Sequence, residues 1–317
     1  MKVLVAMSGG VDSSVAAAML VEQGYEVVGA TMKLWGGESD SGCCSVSDVE
    51  DARRVAAQIG IDHHVFNFSE EFHEKVVDFY VDAHRRGLTP NPCIECNRHL
   101  KFDTFVDRAK TLGFDFVATG HHARVLTAGG RAFIGRGEDR AKDQVREIAK
   151  KMSLRTALKP DSQDVCFVSS SAGRNGFLSS RIELHPGELY DKGTGRKVGS
   201  VDAVELVTVG QRKGLGTLGD GAARYALEVD VESRRVFLGR QPDLLVSSVP
   251  FSSATFPYDP LQDGDSVEVQ GSAHGHASKA VFFHNEVRFS EPHRRVAPGQ
   301  TIAFYRGDVV VGSATAC

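Results

Sequence analysis

Short apolar runs alternate with amphipathic segments over the first 125 residues. The apolar runs are typical of buried strands and read "KVLVAM", "EVVGATMKL", "DHHVFNF" and "DFVATG". The segments between them have helical periodicity, and two of them end at Gly24 and Gly60, as helices commonly do. One segment opens with Ser47 and Glu50, a capping-box spacing that predicts the start of a helix. This alternation predicts an α/β fold, a parallel sheet covered by helices that binds ligands at the carboxyl ends of its strands.

From about residue 168 the pattern changes. Glycine and serine become frequent, and β-branched residues cluster in the short runs "VELVTVG", "RVFLG", "SVEVQG" and "DVVVGSAT". Short strands separated by turn residues are typical of small sheets or of a barrel. We therefore predict that the second half of the chain is rich in β-structure.

The composition is that of an ordinary globular protein. Of 317 residues, 41% are hydrophobic and 25% are charged. No run approaches the ~18 apolar residues of a membrane span, and the N-terminus lacks the length and cleavage site of a signal peptide. We expect a cytoplasmic protein with no membrane partner, in which the six cysteines are mostly reduced.

The charge is unevenly distributed along the chain. The net charge of −4 by itself argues against a nucleic-acid partner. Residues 131–160, however, contain nine Lys and Arg against four Asp and Glu. Such a local excess is either a phosphate-binding surface or, as composition alone favours, the solvated face of a helix.

The segment "VAMSGGVDSSVAAAML" places glycines and hydroxyls between a strand and a helix. A helix N-terminus presents unpaired N–H groups and the positive end of the helix dipole, which suit an anion. Gly9 and Gly10 allow the backbone to approach an oxyanion. Hydroxyl donors to the same anion are Ser8, Ser13 and Ser14. The segment matches neither a Walker loop nor a dinucleotide fingerprint, and a serine-capped strand–helix turn is the purely structural alternative.

Ser-Gly-Gly-Val-Asp-Ser after a first strand closely resembles the loop of N-type ATP pyrophosphatases, which split ATP into AMP and pyrophosphate while adenylating a carbonyl oxygen. The resemblance implies ATP as the cofactor, and Asp12 could help to hold a hydrated Mg²⁺. It also implies that Met32 and Gly120 border the adenine and ribose. The residues that would hold the phosphates are Ala6, Met7, Ser8, Gly9, Gly10, Val11, Asp12 and Ser13.

Three cysteines lie in segments that suggest chemistry. "TPNPCIECNRHLKF" carries Cys93 and Cys96 after a proline-rich turn, and "KPDSQDVCFV" carries Cys166. A zinc site would need further ligands, for which the candidates are His99, His121 and His122, but no second Cys-x-x-Cys is present. A stable disulfide is disfavoured in a reducing compartment. Two reactive thiols that the fold brings together are favoured, and an iron–sulfur cluster held by all three cysteines remains an alternative.

Seven motifs occur in this order along the chain: "MSGGVDSS", "TPNPCIECNRHLKF", "ATGHHARV", "KDQ", "DSQDVCF", "VGQRKGLG" and "APGQTIAFYRGDVVVGSA". Together they resemble the motifs of the tRNA-specific 2-thiouridylases, and the match covers nearly the whole chain. The resemblance implies three domains. These are an ATP pyrophosphatase domain over residues 1–167, a small central domain over residues 168–240 and a C-terminal β-barrel over residues 241–317.

The resemblance also implies roles for individual residues. Cys96 corresponds to the nucleophile and Cys166 to the carrier of a persulfide, whereas Cys93 would line the substrate site without being essential. Asn91 and Pro92 would line the pocket for the target base together with Cys93. The further positions that match tRNA contacts are His121, Lys142, Asp143, Gln144 and Gln300.

The implied reaction replaces the carbon-2 oxygen of the wobble uridine in tRNA with sulfur. That oxygen is a poor leaving group until AMP is transferred to it, which explains why one chain would combine an ATP loop with thiols. Either the persulfide on Cys166 attacks carbon 2 and Cys96 then forms a disulfide with Cys166, or Cys96 first releases hydrosulfide. Both orders require the two Cα atoms to come within ~7 Å. The uridine must also be unstacked to reach the site.

The family further implies tRNAs for lysine, glutamate and glutamine as substrates, and a cysteine desulfurase or sulfur-relay protein as the sulfur donor. Three other functions remain open. They are an iron–sulfur-dependent RNA thiolase, a pyrophosphatase-loop ligase for a small metabolite, and an RNA-binding protein without activity. A metabolite ligase would not need a second, distant cysteine or a basic segment.

The chain departs from the family between two motifs. Family members have a few dozen further residues between "KDQ" and "VREIA", whereas Gln144 is followed here directly by Val145. The remaining cysteines carry no such pattern. We expect Cys43 and Cys44 to be small packing residues and Cys317 to be incidental.

Overall fold

The computed structural model describes residues 1–35, 45–137, 141–160, 165–168, 173–217, 221–272 and 275–317. The chain forms two compact units. One comprises Met1–Phe79, Pro92–Arg124 and Gly137–Phe177, and the other comprises Tyr80–Asn91, Val125–Arg136 and Leu178–Cys317. Cys43 and Cys44 lie outside the described residues. None of the helices in the described part of the chain is long and apolar enough to cross a membrane.

Helices dominate the first half of the chain and strands the second. The α-helices are α1 (Val11–Glu22), α2 (Val46–Ile59), α3 (Ser69–Phe72), α4 (Asp78–Arg85), α5 (Pro92–Cys96), α6 (Phe105–Thr111), α7 (Ala141–Lys151) and α8 (Gly173–Ser179). Further helical turns are π-helical over His73–Val77 and Asn97–Thr104, and 3₁₀ over Arg155–Leu158, Val204–Leu206 and Gln241–Leu244. The strands are β1 (Lys2–Ala6), β2 (Glu26–Lys33), β3 (Asp62–Asn67), β4 (Phe116–Thr119), β5 (Ala123–Ala128), β6 (Arg131–Arg136), β7 (Gly187–Asp191), β8 (Lys197–Val201), β9 (Tyr225–Asp230), β10 (Arg235–Gly239), β11 (Leu245–Thr255), β12 (Ser266–Gln270), β13 (Ser278–Phe283), β14 (Glu286–Arg294), β15 (Thr301–Arg306) and β16 (Val309–Ala316).

The first unit is built on a parallel sheet with the strand order β3-β2-β1-β4. Val3 and Val5 of β1 pack in one buried cluster with residues of α1, α2 and α7, and Leu4 between them is also buried. A strand covered on both faces is apolar at every position instead of alternating, which explains the run "KVLVAM". The predicted parallel α/β sheet is therefore confirmed.

Helix α2 begins two residues earlier than its sequence pattern indicated. Its N-cap is Ser45, whose hydroxyl accepts a hydrogen bond from the backbone N–H of Asp48 at 3.1 Å. The prediction that Ser47 and Glu50 cap the helix is therefore wrong, because the same chemistry is available from Ser45 and Asp48. The helix ends before Gly60, which adopts the left-handed conformation with φ of 73°.

The second unit contains two sheets. The smaller has the order β8-β7-β10-β9. In the larger sheet the order is β11-β14-β13-β12-β15-β16, and pairing of β11 with β16 closes these strands into a barrel. Alternate residues point into the barrel, where the rings of Phe251 and Phe282 both lie 5.6 Å from that of Phe304. This architecture confirms the predicted small β-domain and C-terminal barrel.

A hairpin from the first half of the chain extends the barrel sheet. β5 and β6 follow β4, and Gly135 of β6 pairs with Val309 of β16. The backbone N–H of Arg136 donates to the carbonyl of Asp308 at 2.8 Å. The hairpin therefore belongs to the barrel sheet although its sequence lies between elements of the first unit.

The cysteine segment forms the start of a helical run that extends from Pro92 to Thr111. α5 ends at Cys96 and passes directly into the π-helical turn Asn97–Thr104, which leads into α6. The hydroxyl of Thr104 donates to the carbonyl of His99 at 2.8 Å. π-Helical turns are rare and frequently lie at functional sites, and this one begins at the residue after Cys96.

Candidate active site

The loop after β1 leads into the N-terminus of α1, which borders a cleft. Gly10 is the N-cap of α1 and carries no side chain that could fill the space in front of the first turn. The hydroxyl of Ser13 accepts a hydrogen bond from the backbone N–H of Ser8 at 3.2 Å, which folds the loop back over the helix. The hydroxyls of Ser13 and Ser14 donate to the carbonyl of Gly10 at 3.3 and 2.7 Å.

Two predicted glycines are required by close contacts of the backbone. Gly9 has φ of +74°, and a Cβ at this position would lie 2.3 Å from the carbonyl oxygen of Asp48. The loop therefore packs directly on the first turn of α2. A Cβ on Gly120 would lie 2.5 Å from the backbone nitrogen of Ser13, so the end of β4 packs against the N-terminus of α1. A side chain at either position would push these elements apart.

A cleft of about 270 Å³ opens at the carboxyl ends of β1, β2 and β4. It is the position where parallel sheets bind ligands. The structure brings most of the predicted nucleotide residues together there, namely Ala6, Met7, Ser8, Gly10, Val11, Asp12, Ser13, Met32 and Gly120, together with His121 from the predicted tRNA set. Gly9 shapes the same cleft through its contact with Asp48.

Lys159 also lines this cleft, and the sequence did not single it out. Its Nζ lies 2.7 Å from Asp48 Oδ1 and 2.7 Å from Asp51 Oδ2. Burial alone would lower the pKa of Lys159, but hydrogen bonds to the two carboxylates and their charge outweigh burial and raise it. A permanent positive charge therefore lies beside the loop. The available sequence signals were the place of Lys159 in the basic segment 131–160 and at the start of "KPDSQDVCFV".

The remaining residues of the cleft are Thr31, Leu34, Lys101, Thr119 and Pro160. Lys101, Thr119 and Pro160 lie within the quoted motifs, but the sequence did not assign these five residues to the nucleotide cleft, because they come from separate elements. The hydroxyl of Thr31 donates to the carbonyl of Met7 at 2.7 Å, which ties the end of β2 to the residue after β1. On the opposite side, Asp12 Oδ1 lies 3.0 Å from His122 Nε2.

His121 connects the cleft to the cysteine helix. Its Nδ1 lies 2.7 Å from the hydroxyl of Thr119, and its Nε2 lies 3.2 Å from Oδ1 of Asn97, the residue after Cys96. Burial lowers the pKa of His121, and the charges of Lys101 and His122 lower it further. A neutral ring that donates from Nε2 to Asn97 and accepts at Nδ1 from Thr119 satisfies both contacts.

The structure describes three of the candidate thiols in different environments. Cys93 is exposed, Cys96 is buried and Cys166 is half buried. Cys96 and Cys166 belong to the same compact unit. The ring of Phe167, next to Cys166, lies 5.7 Å from that of Phe72, and the π-helical turn after Phe72 packs against α5. Residues 161–164 of the Cys166 motif lie outside the described residues.

The predicted tRNA contacts are distributed over several elements. Lys142, Asp143 and Gln144 form the first turn of α7, which packs against α1, and the chain continues into "VREIA" within the same helix. In the second unit, Gln300 Nε2 donates to the carbonyl of Thr89 at 2.5 Å. Thr89 lies two residues before Asn91, which the sequence predicts to line the base pocket, and both residues belong to the second unit.

Among the described residues, no three His, Cys, Asp or Glu side chains come together as a metal site. Cys93, Cys96 and Cys166 are all described and therefore do not form a three-ligand cluster in this conformation. A Mg²⁺ that accompanies a nucleotide needs only one or two carboxylates beside phosphates and water, and Asp12 in the cleft fits this requirement.

Sequence comparison matches three parts of the chain to known families. Residues 1–145 and 140–170 match the family described as tRNA methyl transferase HUP domain. Residues 175–240 match the tRNA methyl transferase PRC-barrel domain, and residues 265–316 match the aminomethyltransferase beta-barrel domain. The two matches to the first family meet at residues 140–145, where the chain passes directly from Gln144 to Val145.

Full-length relatives are similar over almost the whole chain. A tRNA-specific 2-thiouridylase MnmA of Carboxydothermus hydrogenoformans is 41% identical over 356 aligned positions, which cover 99% of this chain and 97% of the relative. The MnmA 2 protein of Clostridium tetani is 39% identical, with 98% and 97% covered. Among solved structures, the U34-tRNA thiolase NcsA of Methanococcus maripaludis with its [4Fe-4S] cluster has a TM-score of 0.35 and 17% identity, covering 57% of this chain and 62% of that chain. That TM-score is too low to bear on the chemistry.

A glycine–serine loop at the tip of the first strand of a parallel sheet, followed by a small β-domain and a closed barrel, defines a multidomain protein of the ATP pyrophosphatase fold. Near-complete coverage by the curated relatives identifies the family more closely. The chain belongs to the tRNA-specific 2-thiouridylase family.

Proposed function

We propose that this protein uses ATP to replace the carbon-2 oxygen of the wobble uridine in tRNA with sulfur. The observation that carries this proposal is the link between the anion cleft and the cysteine helix. His121 lines the cleft and contacts Asn97, and Asn97 directly follows Cys96. This contact supports the proposal that phosphate binding and thiol chemistry share one site.

ATP would bind with its phosphates over the N-terminus of α1. Backbone N–H groups of the loop and the hydroxyls of Ser8 and Ser13 are suitable donors to phosphate oxygens. Lys159 supplies a positive charge, and Asp12 would hold Mg²⁺ together with the phosphates. Met32 and Gly120 would border the base and sugar.

The first chemical step activates the uridine. The carbon-2 oxygen attacks the α-phosphorus of ATP, the bond to the β-phosphate breaks and pyrophosphate leaves. Carbon 2 then carries AMP as a leaving group, which makes its displacement by sulfur feasible. Positive groups that face the departing pyrophosphate accelerate such a step because charge develops there in the transition state. Lys159 and the helix N-terminus are suited to that role.

The second step transfers sulfur. The outer sulfur of a persulfide on Cys166 attacks carbon 2 and AMP leaves. The Cys96 thiolate then attacks the inner sulfur of Cys166, which releases 2-thiouridine and leaves a Cys96–Cys166 disulfide that an external thiol must reduce. In the other order, Cys96 attacks first and liberates hydrosulfide, which displaces AMP. Both routes end with the same disulfide.

The substrate and the donor follow from the family. We propose tRNAs for lysine, glutamate and glutamine as substrates and a cysteine desulfurase or sulfur-relay protein as the source of the persulfide, in the cytoplasm. His121, Gln300 and the segment Lys142–Gln144 would contact tRNA. An iron–sulfur route through Cys93, Cys96 and Cys166 is the alternative chemistry for the same substrate.

The test is the formation of 2-thiouridine in vitro. The protein is incubated with bulk tRNA, ATP and Mg²⁺, a cysteine desulfurase and cysteine, and the nucleosides are then analysed by mass spectrometry. We expect 2-thiouridine only in the presence of ATP, with release of AMP and pyrophosphate that depends on tRNA. AMP release that is indifferent to tRNA would instead support a ligase for a small metabolite.

A further inference from the structure

The helical run that carries the cysteines exposes one aromatic ring to solvent. Phe102, the last residue of "TPNPCIECNRHLKF", lies in the π-helical turn Asn97–Thr104, and 51% of its surface is exposed. Single exposed apolar residues are common on protein surfaces and need no explanation by themselves. Phe102 differs because its ring contacts His121, a residue of the candidate active site. The proposed chemistry gives this ring no role.

The phenyl ring of Phe102 is held beside a fixed neighbour. Its centroid lies 5.2 Å from that of the His121 imidazole, with an interplanar angle of 48°. The imidazole is itself held by Thr119 at 2.7 Å and by Asn97 at 3.2 Å. This neighbour restricts the phenyl ring, which has only two side-chain torsions to lose on binding. The ring is therefore preorganised, and its exposed part is open to a ligand.

The π-helical turn explains how one histidine contacts both Asn97 and Phe102. These two residues are five positions apart, and on a regular α-helix they would lie about 140° apart around the axis, at 3.6 residues per turn. A π-helix forms hydrogen bonds between residues i and i+5 and therefore brings such a pair towards one face. Asn97 directly follows Cys96. The phenyl ring thus shares a helix face with the residue next to the thiol.

The position of the ring relative to the cleft separates an RNA base from the adenine of ATP. Lys101 and His121 line the cleft, whereas Phe102 is not among the described residues that line it. A nucleotide within the cleft would therefore meet Lys101 and not the phenyl ring. The ring lies at the rim of the cleft, on the side of the cysteine helix. The proposed reaction requires the target base to lie close both to ATP in the cleft and to the thiol of Cys96 on that helix.

We propose that Phe102 is the stacking surface for the unstacked wobble uracil. The inference rests on the proposed function, since it assigns a further binding residue for the same substrate. A uracil that leaves the anticodon stack loses its contacts with neighbouring bases, and an aromatic side chain replaces part of them because every base has a π-face. A phenyl ring on one face of the uracil also leaves only the other face of carbon 2 open to attack by sulfur.

The test is a double-mutant cycle between the ring and the base. Full-length tRNA for glutamate is assembled with either uracil or no base at the wobble position. Its binding is titrated to the unsubstituted protein, to Phe102→Ala and to Phe102→Tyr. We expect Phe102→Ala to bind the uracil-containing tRNA about tenfold more weakly and to bind the abasic tRNA as the unsubstituted protein does. Phe102→Tyr keeps the π-face and should bind both RNAs as the unsubstituted protein does.

Phe116→Ala is the matched control. Phe116 is equally exposed, at 52%, but it is the first residue of β4, whereas the last residue of the same strand, Thr119, lines the cleft. This variant should bind both RNAs as the unsubstituted protein does. ATP affinity and melting temperature should not change in Phe102→Ala, because the ring lies outside the cleft lining and is half exposed.

Three results would overturn the proposal. An equal loss of affinity for both RNAs in Phe102→Ala, with or without a lower melting temperature, would mean that the ring does not act on the target base. No loss for either RNA would remove the ring from the interface. Weaker ATP binding with unchanged RNA binding would assign the ring to the adenine. Failure of the proposed function is recognised separately, because the unsubstituted protein would then form no 2-thiouridine, whereas this cycle measures binding alone.

Discussion

Two concave regions of this protein, the cleft of the first unit and the cavity that residues 208–211 and 293–297 line in the second, differ in the groups that line them. The cleft of the first unit presents backbone N–H groups at a helix N-terminus, and carboxylates of Asp12 and Asp48 lie in its wall. The cavity of the second unit presents side-chain cations, and its described lining contains no carboxylate. The first arrangement is rigid and retains negative groups that a metal ion can bridge to phosphates. The cavity of the second unit is lined by two arginines, Arg294 and Arg295.

The two sets of lining groups suit different ligands. A small triphosphate with Mg²⁺ benefits from fixed dipoles and a carboxylate, because the metal is shared between protein and phosphates. An RNA backbone carries one charge per nucleotide and releases counterions when it meets arginines, so its binding depends steeply on salt. We therefore expect ATP and tRNA to respond differently to substitutions in the two regions.

The largest effect on activity is expected from substitution of the two reactive cysteines, which line neither the cleft nor the cavity. Cys166→Ser and Cys96→Ser should each abolish 2-thiouridine formation, because serine can neither carry a persulfide nor attack one. Both variants should retain the affinity for ATP and for tRNA. Nucleoside mass spectrometry measures the product, and calorimetry measures the binding of the two ligands.

Cys93→Ser and Cys317→Ser serve as controls, since both residues are exposed. Each should retain most of the activity. Loss of activity in Cys93→Ser, equal to that in Cys166→Ser, would favour a cluster that needs three cysteine ligands. Persistent thiouridine in Cys166→Ser would refute the persulfide mechanism.

The next largest effect is expected on ATP affinity, from a substitution in the cleft of the first unit. Gly9→Ala should weaken ATP binding at least about thirtyfold, because its Cβ would displace the backbone of Asp48 and distort the loop. The affinity for tRNA should change little. Gly24→Ala is the matched control, since Gly24 has φ of +81° but no described atom within 4 Å of a Cβ. The positive φ alone should cost each variant about 1–2 kcal/mol of folding stability. Gly9→Ala should lose more than Gly24→Ala, because its Cβ also collides with the backbone of Asp48. Equal ATP affinities in the two variants would show that the close contact at Gly9 has no role in binding.

A smaller effect is expected from the cation of the first region. Lys159→Gln should weaken ATP binding about tenfold and leave AMP binding almost unchanged, because AMP lacks the phosphates that the lysine would face. Titrations with a non-hydrolysable ATP analogue and with AMP provide the comparison. Lys2→Gln, which removes the exposed pair with Glu26, should alter neither affinity. If Lys159→Gln weakens both nucleotides equally, Lys159 stabilises the cleft instead of contacting phosphate.

Much of this organisation could be predicted from the sequence. The run "KVLVAM" and the glycine–serine loop predicted the sheet and its ligand-binding edge, because buried parallel strands and close backbone turns leave strong local patterns. The β-rich second half was equally visible from its β-branched runs. Motifs of adjacent residues therefore predicted the central residues of the cleft.

The rest depended on contacts between residues far apart in the chain. Lys159 and Asp48 are 111 positions apart and meet only in the folded protein. The second cavity joins residues 208–211 to residues 293–297, and no local pattern in either segment indicates that the two meet. The hairpin β5–β6 joins the barrel sheet through a single pairing with β16, which no local pattern indicates. The sequence alone therefore could not yield these features.

The smallest effect concerns the electrostatic environment of His121 in the cleft. Because burial and the charges of Lys101 and His122 lower its pKa, His121 should titrate below the usual 6.5. The unfolded chain then binds this proton more readily than the folded one. The contribution of His121 to stability is therefore complete above pH 6.5 and declines as the pH falls from 6.5 towards the lowered pKa. An NMR titration of the ring, assigned by its absence in His121→Gln, measures the midpoint. A midpoint above 6.5 would mean that a carboxylate faces this ring, and the first region would then be more negative than its geometry implies.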